Sequence, residues 1–154
     1  MRRWLGIVTT SVLAACAAPV VEEPAVAPES IAFAPQLAVD VSQMQRLEGG
    51  LLIRDMRPGD GPVARRGDNV AVRYVGWLPD GTTIDAVVTP AAPKPFRLGS
   101  GQVIRGWDQA VVGMRVGGQR QVVIPPSLGY GRRQVGGIPP GSTLVFLIEL
   151  VSAR

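Results

Sequence analysis

Trp107, Tyr130 and Asp85 are the residues of this 154-residue chain whose surroundings ask for a chemical explanation. Trp107 opens the apolar-faced pattern in "GQVIRGWDQAVVGM", between Gly106 and Asp108. There it either fills a core or floors a pocket. Tyr130 lies in "LGYGRR" between Gly129 and Gly131, a loop setting in which a bulky phenol is hard to explain as filler. Asp85 sits among apolar neighbours in "TTIDAV", and a buried carboxylate is costly unless paired. The chain holds no histidine, and its only cysteine is Cys16. Serine or cysteine nucleophiles activated by histidine are therefore excluded, as are zinc sites of the histidine-containing kind. What remains is chemistry by carboxylates, tyrosines, backbone dipoles and pocket shape. No metal and no cofactor are expected. Net charge is +4, of which Arg2 and Arg3 supply two, so no basic footprint for nucleic acid stands out.

These residues need a scaffold, and from Gly49 onward the sequence reads as strands broken by turns. "LLIRDM" is a first apolar run, and "RPGDGPVARRGD" is loop. In "NVAVRYVGW", Val70, Val72 and Tyr74 alternate with Ala71, Arg73 and Val75, as in a half-buried strand. After the turn Pro79–Gly81, "TTIDAV" can pair back. "TPAAPKPFRLG", with three prolines, reads as irregular loop. Trp107, Ala110, Val111 and Met114 share one helical face, which Gly113 and Gly117 end. "QRQVVI" is a further strand, and "PPSLGYGRRQVGGIPPGS" is long enough to suggest a binding loop. In "TLVFLIELV", Leu144, Phe146, Ile148 and Leu150 share a face. The class is α+β, mostly antiparallel strands with one short helix.

The first forty-eight residues are of a different kind. "MRRWLGIVTTSVLAAC" has two arginines, a short apolar stretch and small residues before Cys16, the layout of a secretory signal. "LAAC" resembles the lipobox of bacterial lipoproteins, which implies cleavage before Cys16, acylation of that cysteine and attachment to a membrane. Ala17 at the next position suggests, by analogy, the outer membrane, with the protein facing the periplasm. Residues Ala17 to Pro35 carry spaced prolines and read as an extended linker. Gln36 to Leu47 fits a helix through Leu37, Val41 and Met44 or a strand through Leu37, Val39 and Val41. The expected organisation is a signal over residues 1–15, a lipidated Cys16 and linker over 16–48, and a domain over 49–154.

"GDGPVARRGDNVAVRYVGWLPDGTTID", "FRLGSGQVIRGWDQAVVGM" and "YG…GGIPPGSTLVFLIEL" resemble, in collinear order, the FKBP-type, macrolide-binding peptidyl-prolyl cis-trans isomerases. The resemblance runs from about Gly49 to Val151. It implies a five- or six-stranded antiparallel sheet wrapped around one short helix. It also implies a proline pocket made by Tyr74, Asp85, Phe96, Val103, Ile104, Trp107, Tyr130, Ile138 and Phe146. Trp107 would be the floor, and Tyr74, Val103, Ile104 and Phe146 the walls. The Ile104 N–H and Tyr130 hydroxyl would hold substrate carbonyls. Asp85 would face the twisting amide or orient Tyr74. Three positions depart from the family pattern: Ile84 and Lys94 stand where aromatics are frequent, and Pro90 stands for an arginine able to pair with the aspartate.

Such a reaction explains the missing histidine. An X-Pro bond turns over a barrier of about 18–20 kcal/mol set by amide resonance, and no proton need be carried. An apolar cleft that favours the twisted amide, plus donors for the flanking carbonyls, suffices. The leading expectation is a membrane-anchored, monomeric prolyl isomerase that acts on proline-containing segments of envelope or secreted proteins and has macrolides as further ligands. The competing readings are a non-catalytic chaperone or binding module for proline-containing segments, and a lipoprotein using the fold as scaffold.

Overall fold

The computed structural model describes residues 26–88 and 92–154. Its sheet contains β1 (Gln45–Arg46), β2 (Leu52–Arg57), β3 (Asn69–Trp77), β4 (Thr83–Val87), β5 (Lys94–Arg97), β6 (Gln119–Ile124) and β7 (Leu144–Ala153). One helix, α1, spans Arg105–Ala110. All pairings are antiparallel, in the order β1-β2-β6-β7-β3-β4, with β5 also on β3. The α+β class holds, with seven strands where five or six were expected. The two-residue β1, which lies before Gly49, is one addition to the strands read from the sequence.

The second unexpected strand is β5, in the proline-rich stretch read as loop. It pairs with the first half of β3, Val70 opposite Phe96, while β4 pairs with the second half, Gly76 opposite Asp85. Pro95 lies opposite Ala71. The strand is at the border of the sheet, where a missing N–H leaves no central ladder broken.

Alternation sorts the side chains onto two faces. Val70, Val72 and Tyr74 of β3 and Leu144, Phe146, Ile148 and Leu150 of β7 join Trp107, Ala110 and Val111 in the main core. Leu52, Val123 and Val145 point the other way, into a second cluster with Leu37. The unbroken run Val122, Val123, Ile124 in β6 follows from this, because the strand is covered on both sides. Two close approaches require glycine. A Cβ on Gly106 would stand 2.6 Å from Ile124 Cγ2, so its absence lets α1 settle on β6. A Cβ on Gly76 would stand 2.3 Å from Phe146 Cε1, so its absence lets that ring lie across β3.

Arg120 locks the end of α1 to the sheet. It is 6% exposed and donates to the Ala110 carbonyl at 2.7 Å. It also forks onto Asp55, Nε to Oδ1 at 2.6 Å and Nη2 to Oδ2 at 3.1 Å. The fork satisfies the buried guanidinium, and the carbonyl it covers would otherwise be an orphan of the helix end.

The described part of the expected linker differs from a free extended chain. Residues Pro28–Ser30, Pro35–Leu37 and Val41–Gln43 form single 3-10 turns, two of them started by proline. Neither the helix nor the strand considered for residues 36–47 forms; β1 takes only two residues. Leu37 is buried, with Phe33, Val39, Val41, Met44 and Trp77 packed around its cluster. Gln121 Nε2 donates to the Leu37 carbonyl at 2.7 Å, and the Ala34 N–H to the Pro79 carbonyl at 2.8 Å. The segment covers the outer face of β2, β6 and β7.

Candidate functional site

The inner face of the sheet, α1 and two loops enclose a cleft of about 500 Å³. Trp107 lies at its base, in the first turn of α1, with its N–H bonded to the Ile104 carbonyl at 2.9 Å. The indole is only 4% exposed, which makes it core and cleft floor at once. Its ring meets Tyr74 edge-on at 4.6 Å and 80°, and Phe146 at 5.3 Å and 88°. Such edge-to-face contacts hold aromatic rings in fixed orientations. The indole Nε1 is buried and bonded to no described residue.

Tyr74, Asp85, Val103, Ile104, Tyr130, Ile138 and Phe146 line the same cleft. Phe96 does not. It is buried behind the floor, 6.0 Å from the Trp107 ring, and acts as a backing. Ile84 and Lys94 line the wall at the two departing positions. Pro90 and Cys16 lie outside the described residues.

Asp85 differs from expectation in burial. As a residue it is exposed, because β4 is the sheet's last strand, while its carboxylate lines the cleft. Nor is it short of a partner. The Tyr74 hydroxyl donates to Asp85 Oδ2 at 2.5 Å, and the Ala86 N–H to Oδ1 at 2.9 Å. Of the two roles considered, this geometry fits orientation of Tyr74. Burial, and then the bond and charge of Asp85, push the Tyr74 phenol above its ordinary range, so it stays a neutral donor.

Two cleft-lining residues carry donors without an acceptor among the described residues. The Ile104 N–H and the Tyr130 hydroxyl bond to no described group. Ile104 is held by the loop before it, and the residue that shapes this loop was missed in the sequence. Asp108, 8% exposed, accepts the Gly99 N–H at 2.8 Å and the Gly101 N–H at 2.9 Å. Gln102 Oε1 adds a bond from the Arg97 N–H at 2.7 Å. A carboxylate directly after Trp107, behind the glycine-rich "GSG", was the available signal. Tyr130 follows a 3-10 turn, Pro126–Leu128, and its loop is closed by Gly131 N–H to Pro126 O at 2.9 Å and Gly141 N–H to Gly131 O at 2.8 Å. Arg105 and Arg133 at the cleft were also not foreseen.

The site is thus a cleft with an aromatic floor and walls and charged residues around it, on an antiparallel sheet around one helix. Comparison with known proteins identifies its class. Residues 61–151 match the family described as FKBP-type peptidyl-prolyl cis-trans isomerase. An FK506-binding protein of Streptomyces anulatus is 50% identical over 105 residues, 66% of this chain and 85% of that one. A peptidyl-prolyl cis-trans isomerase of Saccharomyces cerevisiae is 47% identical over 108 residues, covering 70% of this chain. The chain spans only 26% of that yeast protein's length. A crystal structure of a peptidyl-prolyl cis-trans isomerase from Pseudomonas syringae pv. tomato superposes with a TM-score of 0.65 at 39% identity, covering 73% of this chain and 81% of its own. The chain belongs to the FKBP-type peptidyl-prolyl cis-trans isomerase family.

Proposed function

We propose that this protein catalyses cis–trans isomerisation of X-Pro bonds in polypeptides. The observation that carries the reading is the Trp107-floored cleft with the unpartnered Ile104 N–H and Tyr130 hydroxyl on its rim. A proline ring seated on the indole excludes water from its amide, which disfavours the polar planar form relative to the twisted one. The two donors hold carbonyls flanking the bond, so rotation is confined to that bond. Tyr74, aimed by Asp85, forms a neutral polar wall. Asp85 acts through Tyr74 and is a positioning residue in this scheme.

An uncatalysed bond exchanges in tens to hundreds of seconds, which sets the baseline for a protease-coupled or exchange-spectroscopy assay with the full chain. Acceleration that saturates with peptide supports the enzyme. Binding of proline peptides without acceleration would favour the binding-module reading, towards which the non-aromatic Ile84 and Lys94 lean. The Streptomyces anulatus relative is named for binding FK506. A macrolide of that type is proposed as a competing ligand of the same cleft.

The setting proposed for this activity is the bacterial envelope. Cys16 in "LAAC" would carry acyl chains, each methylene adding about 0.8 kcal/mol of membrane affinity, and Ala17 favours the outer membrane. Clients would then be envelope or secreted proteins, met by a monomer. Intact mass of the membrane-extracted protein tests the anchor: acylated Cys16 supports it, and a free or uncleaved Cys16 refutes it. Cys16→Ser should move the protein out of the membrane fraction.

A further inference from the structure

The cleft carries a set of charges that the isomerisation chemistry does not use. Its charged lining residues are three cations, Lys94, Arg105 and Arg133, and one anion, Asp85. The carboxylate is already engaged by the Tyr74 hydroxyl and the Ala86 N–H. The cations are not. Among the described residues the ion pairs are Arg46–Glu29, Arg57–Glu149 and Arg120–Asp55, and none involves the cleft. All three cationic residues are exposed. Lys94 holds its Nζ 5.8 Å from the centroid of the Tyr74 ring. Arg105 directly follows Ile104, and Arg133 comes three residues after Tyr130. Positive charge therefore stands beside the Tyr74 wall, and two further cationic residues line the same cleft as Ile104 and Tyr130.

We infer that the cleft selects X-Pro segments carrying a carboxylate side chain next to the proline and disfavours those carrying a lysine or arginine there. This rests on the isomerase reading and names the substrate class within it. One exposed ion pair contributes little, but three like charges around one apolar cleft act on the same substrate charge. At 0.1 M salt the screening length of about 10 Å leaves neighbouring charges in the cleft within reach of one another. Attraction for an acidic neighbour and repulsion of a basic one add in the ratio of the two, which is the quantity that defines specificity.

The test uses the full chain and peptides Ala-Xaa-Pro-Phe with Xaa leucine, glutamate or lysine. Both isomerisation and peptide binding, by calorimetry, are measured. At about 0.05 M salt the glutamate peptide should exceed the lysine peptide by about tenfold in kcat/KM and in affinity. The ratio should fall towards one at about 1 M salt, where the screening length is roughly 3 Å. Lys94→Gln and Arg133→Gln should each reduce the ratio, and the double variant should bring it within about twofold of one. The leucine peptide separates the two ideas. If it binds but is not isomerised, the isomerase reading fails while selectivity is still read from affinity. A glutamate-to-lysine ratio near one in the unaltered chain, or a ratio indifferent to salt and to both substitutions, overturns the selectivity inference alone.

Discussion

The two faces of the sheet are built from alternate residues of the same strands, yet they serve different ends. On the outer face Leu52, Val123 and Val145 meet Leu37 and its neighbours, and the segment from Phe33 to Met44 closes over them. On the inner face Tyr74, Phe146 and Trp107 form an aromatic cluster that is left open at one side as a cleft. The outer cluster is largely aliphatic, and backbone carbonyls beside it are matched, that of Leu37 by Gln121 Nε2 and that of Pro79 by the Ala34 N–H, while Gln121 Oε1 is buried without a partner among the described residues. The inner one ends in two donors that wait for an acceptor. A face that is sealed contributes stability, whereas a face left incomplete can bind. Each of the two tryptophans within the described residues belongs to one face, Trp77 to the outer and Trp107 to the inner.

Substitutions on the two faces should have unequal effects, the largest of them on the inner face. Trp107→Leu should lower kcat/KM by about a hundredfold, equivalent to roughly 2.7 kcal/mol of transition-state stabilisation. Because truncation of a buried tryptophan to alanine costs about 3–5 kcal/mol, leucine is the milder probe, and chemical denaturation should still show a folded protein. Tyr130→Phe should cost about three- to tenfold through one neutral hydrogen bond of roughly 0.5–1.5 kcal/mol. Asp85→Asn should cost up to about tenfold. If Asp85 acts through Tyr74, Tyr74→Phe should cost about the same, and the double variant should be no worse than either single one. Additive losses would instead place the carboxylate on the amide itself.

Leu37→Ala probes the outer face. It should destabilise the fold by about 2–4 kcal/mol in a denaturant titration while the folded protein keeps kcat/KM within about twofold. The smallest effect should come from pH. The folded Tyr74 phenol titrates above its unfolded value of about 10. Its contribution to stability is therefore complete below about pH 10 and lost as pH rises through the higher folded value. The chain has no histidine, so kcat/KM should change less than about twofold between about pH 6 and 8. A bell-shaped profile in that window would mean that a proton is transferred.

Much of the inner face was legible in the residues themselves. The period-two alternation in β3 and β7 follows from a one-sided core. Trp107, Ala110, Val111 and Met114 are buried there too, although α1 ends at Ala110, and Val111 and Met114 reach the core from the turn after it rather than from a longer helix. What escaped depends on contacts far apart in sequence. The β5 strand was hidden by its prolines, which an edge position tolerates. The packing of residues 33–44 was hidden because 3-10 turns leave no regular period, and only the unseen outer face of β2, β6 and β7 explains where their apolar side chains go. Asp85 was taken as buried from its neighbours in sequence, whereas its exposure comes from strand order. The cleft aromatics were named through family resemblance. Their residue types alone fit core packing equally well, and the structure shows Trp107 in both roles.

The claim that the inner face is the working one is tested most directly by letting each tryptophan report on a proline peptide. In a chain with Trp4→Phe and Trp77→Phe, the emission of Trp107 should shift on titration with peptide, with a midpoint equal to the KM of isomerisation where substrate exchange is fast. In the converse chain with Trp4→Phe and Trp107→Phe, the emission of Trp77 should stay unchanged. A Trp107 signal indifferent to saturating peptide while isomerisation proceeds, or a response confined to Trp77, would contradict the account and place the substrate elsewhere.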